Sequence, residues 1–259
     1  MGSTTPSVDR ATPHDTVDAV VAGTQRRAFP LRRTFLQQKL DGRSAPGPLA
    51  EFVVGSDLLA LRLYFLALTK ATVEPWDVSL HSAVFARALG LPNPMSQATR
   101  GRVSKAWTRL VQRNLVARSR RNRLAEFTLL AEDGSGQPYT RPTSSYLQVP
   151  HDYWTAGPDG SRRWYEVLKM PDLTFLVIAL SNLDSFPLPA ERGPDYYGIS
   201  ADTLQRGSTA LRRHGLLDIE RRRVKAPLAP DGFTHENRYT LMAPFGPMGK
   251  LSSAASRVR

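Results

Sequence analysis

Two stretches of this chain repeat one pattern, and the repeat limits the fold more than any other feature. The first stretch, TRGRVSKAWTRLVQRNLVARSRRNRLAEFTLL, runs from Thr99 to Leu130, and the second, SADTLQRGSTALRRHGLLDIERRR, from Ser200 to Arg223. In the first, Val103, Ala106, Trp107 and Leu110 stand at i, i+3, i+4 and i+7, the spacing that lays one apolar stripe along a helix of about three turns. Arg100, Ser104, Lys105, Thr108 and Arg109 then face the other way. Asn114 stands where a helix end favours a residue that tolerates left-handed backbone. Leu115-Val116 opens a short strand, the arginine-rich segment Arg118 to Arg123 reads as a turn, and Ala125 to Leu130 reads as the return strand. Setting Asn114-Leu115-Val116 on Gly215-Leu216-Leu217 brings Thr99 onto Ser200, Val103 onto Leu204, Lys105 onto Arg206 and Leu110 onto Leu211 without a gap. Two copies in register are far harder to obtain by chance than one, so the chain is expected to be a tandem.

Composition agrees with that expectation. A chain of 259 residues with 41% hydrophobic content can form one large core or two small ones, and the repeat favours two. With no cysteine there is neither a disulfide framework nor a thiolate metal site. No run reaches the roughly 18 to 20 apolar residues of a membrane span. Met1 to Arg27 lacks the apolar core of a secretory signal, so a cytoplasmic, nucleoid-associated protein is expected. The net charge of +12 calls for a polyanionic partner, nucleic acid before an acidic membrane face. Between Val78 and Ala125 there is no Asp or Glu, whereas Arg87, Arg100, Arg102, Lys105, Arg109, Arg113, Arg118, Arg120, Arg121 and Arg123 all lie there. A GC-rich genome could account for arginine over lysine, but not for a segment emptied of acids.

Turn and breaker residues place the boundaries. Residues 1–28, rich in Ser, Thr and Pro, are expected to be a disordered tail with at most a short helix near Val17 to Ala22. A first domain is expected over 29–130, a linker over 131–145, a second domain over 146–243 and a flexible basic tail over 244–259. In the first domain, Ser56 is the expected cap of an apolar helix from Asp57 to Lys70. A second helix, Ser79 to Ala88, stops at Gly90, and a long turn leads to the basic helix capped by Thr99. In the second domain, Pro171 suits a first helical position, and Leu173 to Leu183 is almost wholly apolar. Tyr146-Leu147-Gln148-Val149 resembles Phe35-Leu36-Gln37-Gln38, which extends the repeat upstream.

The order helix, apolar hinge, strand, basic hairpin, strand resembles the recognition helix and wing of winged helix-turn-helix proteins. Tyr196-Tyr197-Gly198-Ile199-Ser200-Ala201-Asp202-Thr203 and the wing-closing Glu236-Asn237-Arg238-Tyr239-Thr240-Leu241 are similar to segments of actinobacterial helix-turn-helix proteins. The tandem arrangement is similar to that of plasmid replication initiators and of some bacterial regulators. The resemblance covers roughly Phe29 to Ala243. It implies a mainly α fold with small β wings (α+β), built as two tandem winged helix-turn-helix domains. It also implies double-stranded DNA as the partner, a homodimer being possible, with no cofactor and no catalysis. The implied function is a sequence-specific transcriptional regulator. An initiator at a plasmid or mobile-element origin is the alternative, and a protein-docking module of a nucleoprotein complex a further one.

Major-groove readout needs fork donors and short polar side chains along a solvent-facing helix row. Copy one offers Arg100, Arg102, Ser104, Lys105 and Arg109, and copy two offers Asp202, Gln205, Arg206 and Thr209. Gln205 suits adenine, and Arg206 or Lys105 suits guanine. Thr99 and Ser200, as expected caps, would leave backbone N–H groups for a phosphate. Arg212, Arg213 and the wing residues Arg118, Arg120, Arg121, Arg123, Arg221, Arg222 and Arg223 are expected on the backbone or in the minor groove. The five histidines, His14, His81, His151, His214 and His235, form no HExxH or His-x-His pair. No Gly-x-Ser-x-Gly turn marks a nucleophile.

Overall fold

The computed structural model describes residues 10–122, 124–182 and 185–246, leaving out the Ala190 side chain. Its first half comprises α1 (Pro13–Ala22), β1 (Ala28–Arg32), β2 (Gln37–Leu40), β3 (Arg43–Pro46), α2 (Leu49–Val54), α3 (Leu58–Lys70), β4 (Asp77–Val78), α4 (Ser82–Ala88), α5 (Gln97–Gln112), β5 (Val116–Arg121) and β6 (Leu124–Leu129). The second half comprises β7 (Tyr146–Pro150), α6 (Asp152–Thr155), α7 (Trp164–Val167), α8 (Met170–Leu180), β8 (Ser185–Pro187), α9 (Gly193–Tyr197), α10 (Ala201–Arg213), β9 (Leu217–Lys225) and β10 (Phe233–Leu241). The fold is mixed, with helices around small sheets of two or three strands. Among the described residues no helix is long and apolar enough to cross a membrane.

One element order occurs twice: helix, strand, two helices, hairpin. In the first unit it is α3-β4-α4-α5-β5-β6 and in the second α8-β8-α9-α10-β9-β10. The sheets match, with strand order β4-β6-β5 in one and β8-β10-β9 in the other. The long helices also end alike. Asn114 (φ 53) and Gly215 (φ 70) take left-handed backbone. The Leu115 N–H donates to the Leu110 carbonyl at 3.1 Å and the Leu216 N–H to that of Leu211 at 2.9 Å. Such paired bonds satisfy carbonyls left over at a helix end. The return strands join the hinge by the same bond, Leu130 N–H to Leu115 at 3.0 Å and Met242 N–H to Leu216 at 2.9 Å.

The helix starts differ. Ser96, rather than Thr99, caps α5, its hydroxyl accepting from the Thr99 N–H at 3.2 Å. Thr99 is buried and donates to the Pro92 carbonyl at 2.7 Å. Helix α5 therefore starts about a turn earlier than α10, having 16 residues against 13. Ser200 does cap α10, accepting from the Thr203 N–H at 3.2 Å. Asp57, rather than Ser56, caps α3, and α4 starts at Ser82 with His81 as its cap.

A continuous apolar core runs through both units, and three expectations change with it. Residues 12–22 are not a disordered tail. Thr12 and Asp15 form a reciprocal capping box, and α1 buries Val17 and Val20, each such side chain contributing about 1.5–3 kcal/mol. The stretch 131–145 is not a loose linker. Glu132 is 0% exposed and ion-pairs with Arg32, while Tyr139 packs edge-on against Trp76. Burial raises the Glu132 carboxyl pKa, and the Arg32 charge offsets only part of that rise. Phe245 is also buried, against Trp164, so the expected C-terminal tail begins in packed structure; residues 247–259 lie outside the described set.

Strand pairing corrects the upstream repeat. The partner of β7 is β1, antiparallel, with Phe29 opposite Val149 and Leu31 opposite Leu147. Phe35 instead closes a 3-10 turn, Arg33–Phe35. This ladder joins the units, and two side-chain bonds reinforce it. Trp154 Nε1 donates to Thr69 Oγ1 at 3.0 Å, and Arg62 donates to the Leu168 carbonyl at 2.8 Å. Strand content thus extends beyond the two expected hairpins.

Candidate nucleic-acid interface

In the second unit the turn between α9 and α10 is short because Gly198 takes left-handed backbone (φ 65), which lets Ser200 cap the next helix directly. Leu204, Gly207, Ala210 and Leu211 bury one side of α10. Gly207 is required there by packing: a Cβ would lie 2.3 Å from the Pro171 carbonyl oxygen and 2.8 Å from Phe175 Cβ. The close approach to α8 turns Asp202, Gln205, Arg206, Thr209, Arg212 and Arg213 to solvent, and all six are exposed. Asp202 ion-pairs with Arg206 at 3.0 Å and Gln205 donates to Thr209 at 3.4 Å. These two exposed contacts link side chains one turn apart in the middle of the row.

In the first unit, α5 buries Val103, Ala106, Trp107 and Leu110, with Trp107 stacked on Phe127 at 3.7 Å. Its polar side divides in two. Arg102 and Lys105 are exposed and, with Arg109, border a groove at the start of α3. Half-buried Arg100 and exposed Ser104 border another groove, against the β5-β6 hairpin. Arg109 is not a free contact residue. It donates to Asp57 from Nε at 2.6 Å and from Nη2 at 2.7 Å, and Arg113 Nη1 adds a third bond at 2.9 Å. Burial alone would raise the Asp57 carboxyl pKa, but the arginine hydrogen bonds outweigh it and hold the group below its ordinary value.

The hairpin arginines lie on strands rather than in the turns. Arg118, Arg120 and Arg121 are on β5, whose turn is made at Asn122 (φ 48); Arg123 lies outside the described residues. Strand alternation separates them. Arg120 is exposed, and Arg118 lies with its guanidinium 6.0 Å from the Phe127 ring centre. Arg121 points to the other face, where it ion-pairs with Asp77 and Glu126. On β9, Arg221 is exposed, Arg222 ion-pairs with Glu220 at 2.7 Å, and Arg223 covers the Phe233 ring at 4.4 Å.

Each unit thus presents a helix row beside a cationic hairpin. From the expected set, the structure keeps Arg100, Arg102, Ser104, Lys105, Arg118, Arg120, Arg121, Ser200, Asp202, Gln205, Arg206, Thr209, Arg212, Arg213, Arg221, Arg222 and Arg223 at the surface or bordering a groove. It withdraws Thr99 into the core and Arg109 into an ion pair, and gives Arg121, Arg206 and Arg222 carboxylate partners. Asp57, which holds Arg109, and Arg113, which shares that carboxylate, were not among those expected. Their signal is a lone acid at the start of an otherwise apolar helix, and it becomes legible only once the α3–α5 packing is known. Among the described residues no group of three or more His, Cys, Asp or Glu could hold a metal ion. No protein-family model, curated protein or solved structure matches the chain.

Proposed function

We propose that the chain is a sequence-specific double-stranded DNA-binding protein of the regulatory kind, its two units acting as tandem winged helix-turn-helix modules. The observation that carries this reading is the α10 row. Six adjacent polar side chains, Asp202, Gln205, Arg206, Thr209, Arg212 and Arg213, are all exposed on a helix that follows a tight turn. A helix of this kind fits the major groove, where Gln205 matches the adenine edge and Arg206 the guanine edge. Arg221 and Arg120 on the hairpins, and Arg212 and Arg213 at the far end of α10, supply phosphate contacts. The net charge of +12 gives the long-range attraction.

Fluorescence anisotropy with labelled duplexes at low ionic strength tests the reading. The expected result is saturable binding that weakens steeply with salt and is tighter for duplex selected from a random pool than for scrambled sequence. Equal, salt-insensitive affinity for all sequences, or none for any, would refute it.

A further inference from the structure

The two units differ in the groove between the long helix and its hairpin. In the first unit this groove has a volume of about 410 Å³ and is bordered by Arg100, Gly101, Ser104, Arg118 and His81 over the Trp107 and Phe127 rings, with no carboxylate in its lining among the described residues. Its counterpart in the second unit, about 590 Å³, carries Glu191 and Glu236 alongside Arg221 and His235. The aligned positions make the contrast sharper. Where the first unit has Arg100, Gly101 and Arg118 in its groove, the sequence-equivalent residues of the second are Ala201, Asp202 and Ile219, none of which lines the second groove. Each of the three changes makes the first groove more hospitable to an anion.

Gly101 adds a second, independent observation. It sits inside α5, where glycine costs roughly 0.8–1 kcal/mol relative to alanine. Neither backbone nor packing asks for it: its φ is not positive, and among the described residues a Cβ built there meets nothing within 4 Å. Gly207 in α10, by contrast, is dictated by the Pro171 carbonyl and the Phe175 Cβ pressed against it. A helix position without a side chain lets a group outside the protein come close to the backbone. Arg100 Nε, beside it, is buried without a hydrogen-bond partner among the described residues.

We infer that this groove seats the sugar–phosphate backbone of one DNA strand. The strand crosses α5 at Gly101, its phosphate lies between the Arg100 and Arg118 guanidiniums, and a deoxyribose rests on the apolar floor near Phe127 and Leu124. The inference rests on the proposed DNA binding and deepens it. The first unit grips the duplex by close backbone approach and the second reads it through side chains, so the two halves of the site are unequal.

The test pairs thermal unfolding with duplex titration for the parent chain, Gly101→Ala and Gly101→Asp, using sonicated mixed-sequence DNA at low salt. Gly101→Ala should raise the melting temperature by about 2–4 °C yet weaken DNA binding at least fivefold. Gly101→Asp, which installs the second unit's residue, should weaken it further. Parent-level binding by Gly101→Ala would overturn the strand seat while leaving DNA binding intact. A parent chain that binds no duplex would overturn both. Loss of DNA binding only on addition of a small aromatic carboxylate, with Gly101→Ala otherwise at the parent level, would reassign the groove to an effector.

Discussion

Arg109 on α5 and Asp57 at the cap of α3 share two hydrogen bonds, 2.6 and 2.7 Å long, which tie the basic helix to the first helix of its unit. Asp57 is 8% exposed, and Arg113 closes the same carboxylate from the next turn while its guanidinium lies 4.3 Å from the Phe52 ring centre. The arrangement makes Arg109 a positioning residue. Asp57→Asn should cost roughly 1.5–3 kcal/mol of stability, the range for hydrogen bonds to charged groups, as read by denaturant unfolding.

The same carboxylate makes a pH statement. Its folded pKa is held below the ordinary value of 3.8, so the charged form is favoured by folding. The contribution is present above the unfolded pKa and lost as pH falls through the lower folded one. The stability gap between the parent chain and Asp57→Asn should therefore be constant near neutrality and close in acid below about that value. A gap that widened in acid would contradict the assignment.

Arg120 and Arg121 are neighbours in sequence with different surroundings. Arg120 is exposed and Arg121 is held by Asp77 and Glu126. Arg120→Gln should flatten the slope of log affinity against log salt by roughly 0.9, the value for one released counterion. Arg121→Gln should change it less and should destabilise the hairpin instead. Equal effects on the slope would mean that the ion pairs open on binding.

On α10, Arg206→Ala should cost roughly 1–3 kcal/mol on the selected duplex and relax the preference at one base position. Asp202→Asn removes the acid that holds Arg206 at 3.0 Å. It should lower discrimination more than it lowers affinity for mixed-sequence DNA, because a cation is freed while its orientation is lost. Competition binding against single-base variants reads both effects.

Gly207→Ala is the counterpart of the Gly101 test. A methyl group 2.3 Å from the Pro171 carbonyl oxygen cannot be accommodated without moving α10 off α8. The expected cost is about 1–3 kcal/mol, as for overpacked cores. A melting temperature at or above that of the parent would show the α8–α10 packing to be looser than described.

The parts of the fold legible in the sequence are those set by local pattern. The apolar stripe of α5, the left-handed turn residues Asn114 and Gly215, the Ser200 cap and the hairpins follow from periodicity and helix-end chemistry. The parts that were not legible depend on distant partners. Thr12 to Ala22 has too few apolar residues to fold alone, and becomes helical because Val17 and Val20 meet a surface already built by other helices. Glu132 reads as a linker residue until Arg32 is placed beside it. Thr99 looked like a cap because alignment from the helix end ignores the extra turn that Ser96 starts. At the candidate site, the α10 row was readable because all of it faces solvent. The α5 row was only half readable, because Asp57 draws Arg109 out of it.

The central claim is that exposed polar side chains of α10 read duplex sequence. Selection of bound duplexes from a random pool by the intact chain, repeated with Arg206→Ala, tests it most directly. The parent should enrich a defined motif, and the variant should lose one guanine of it while keeping the rest. A pool that stays random after selection by the parent, or an identical motif from both proteins, would contradict it.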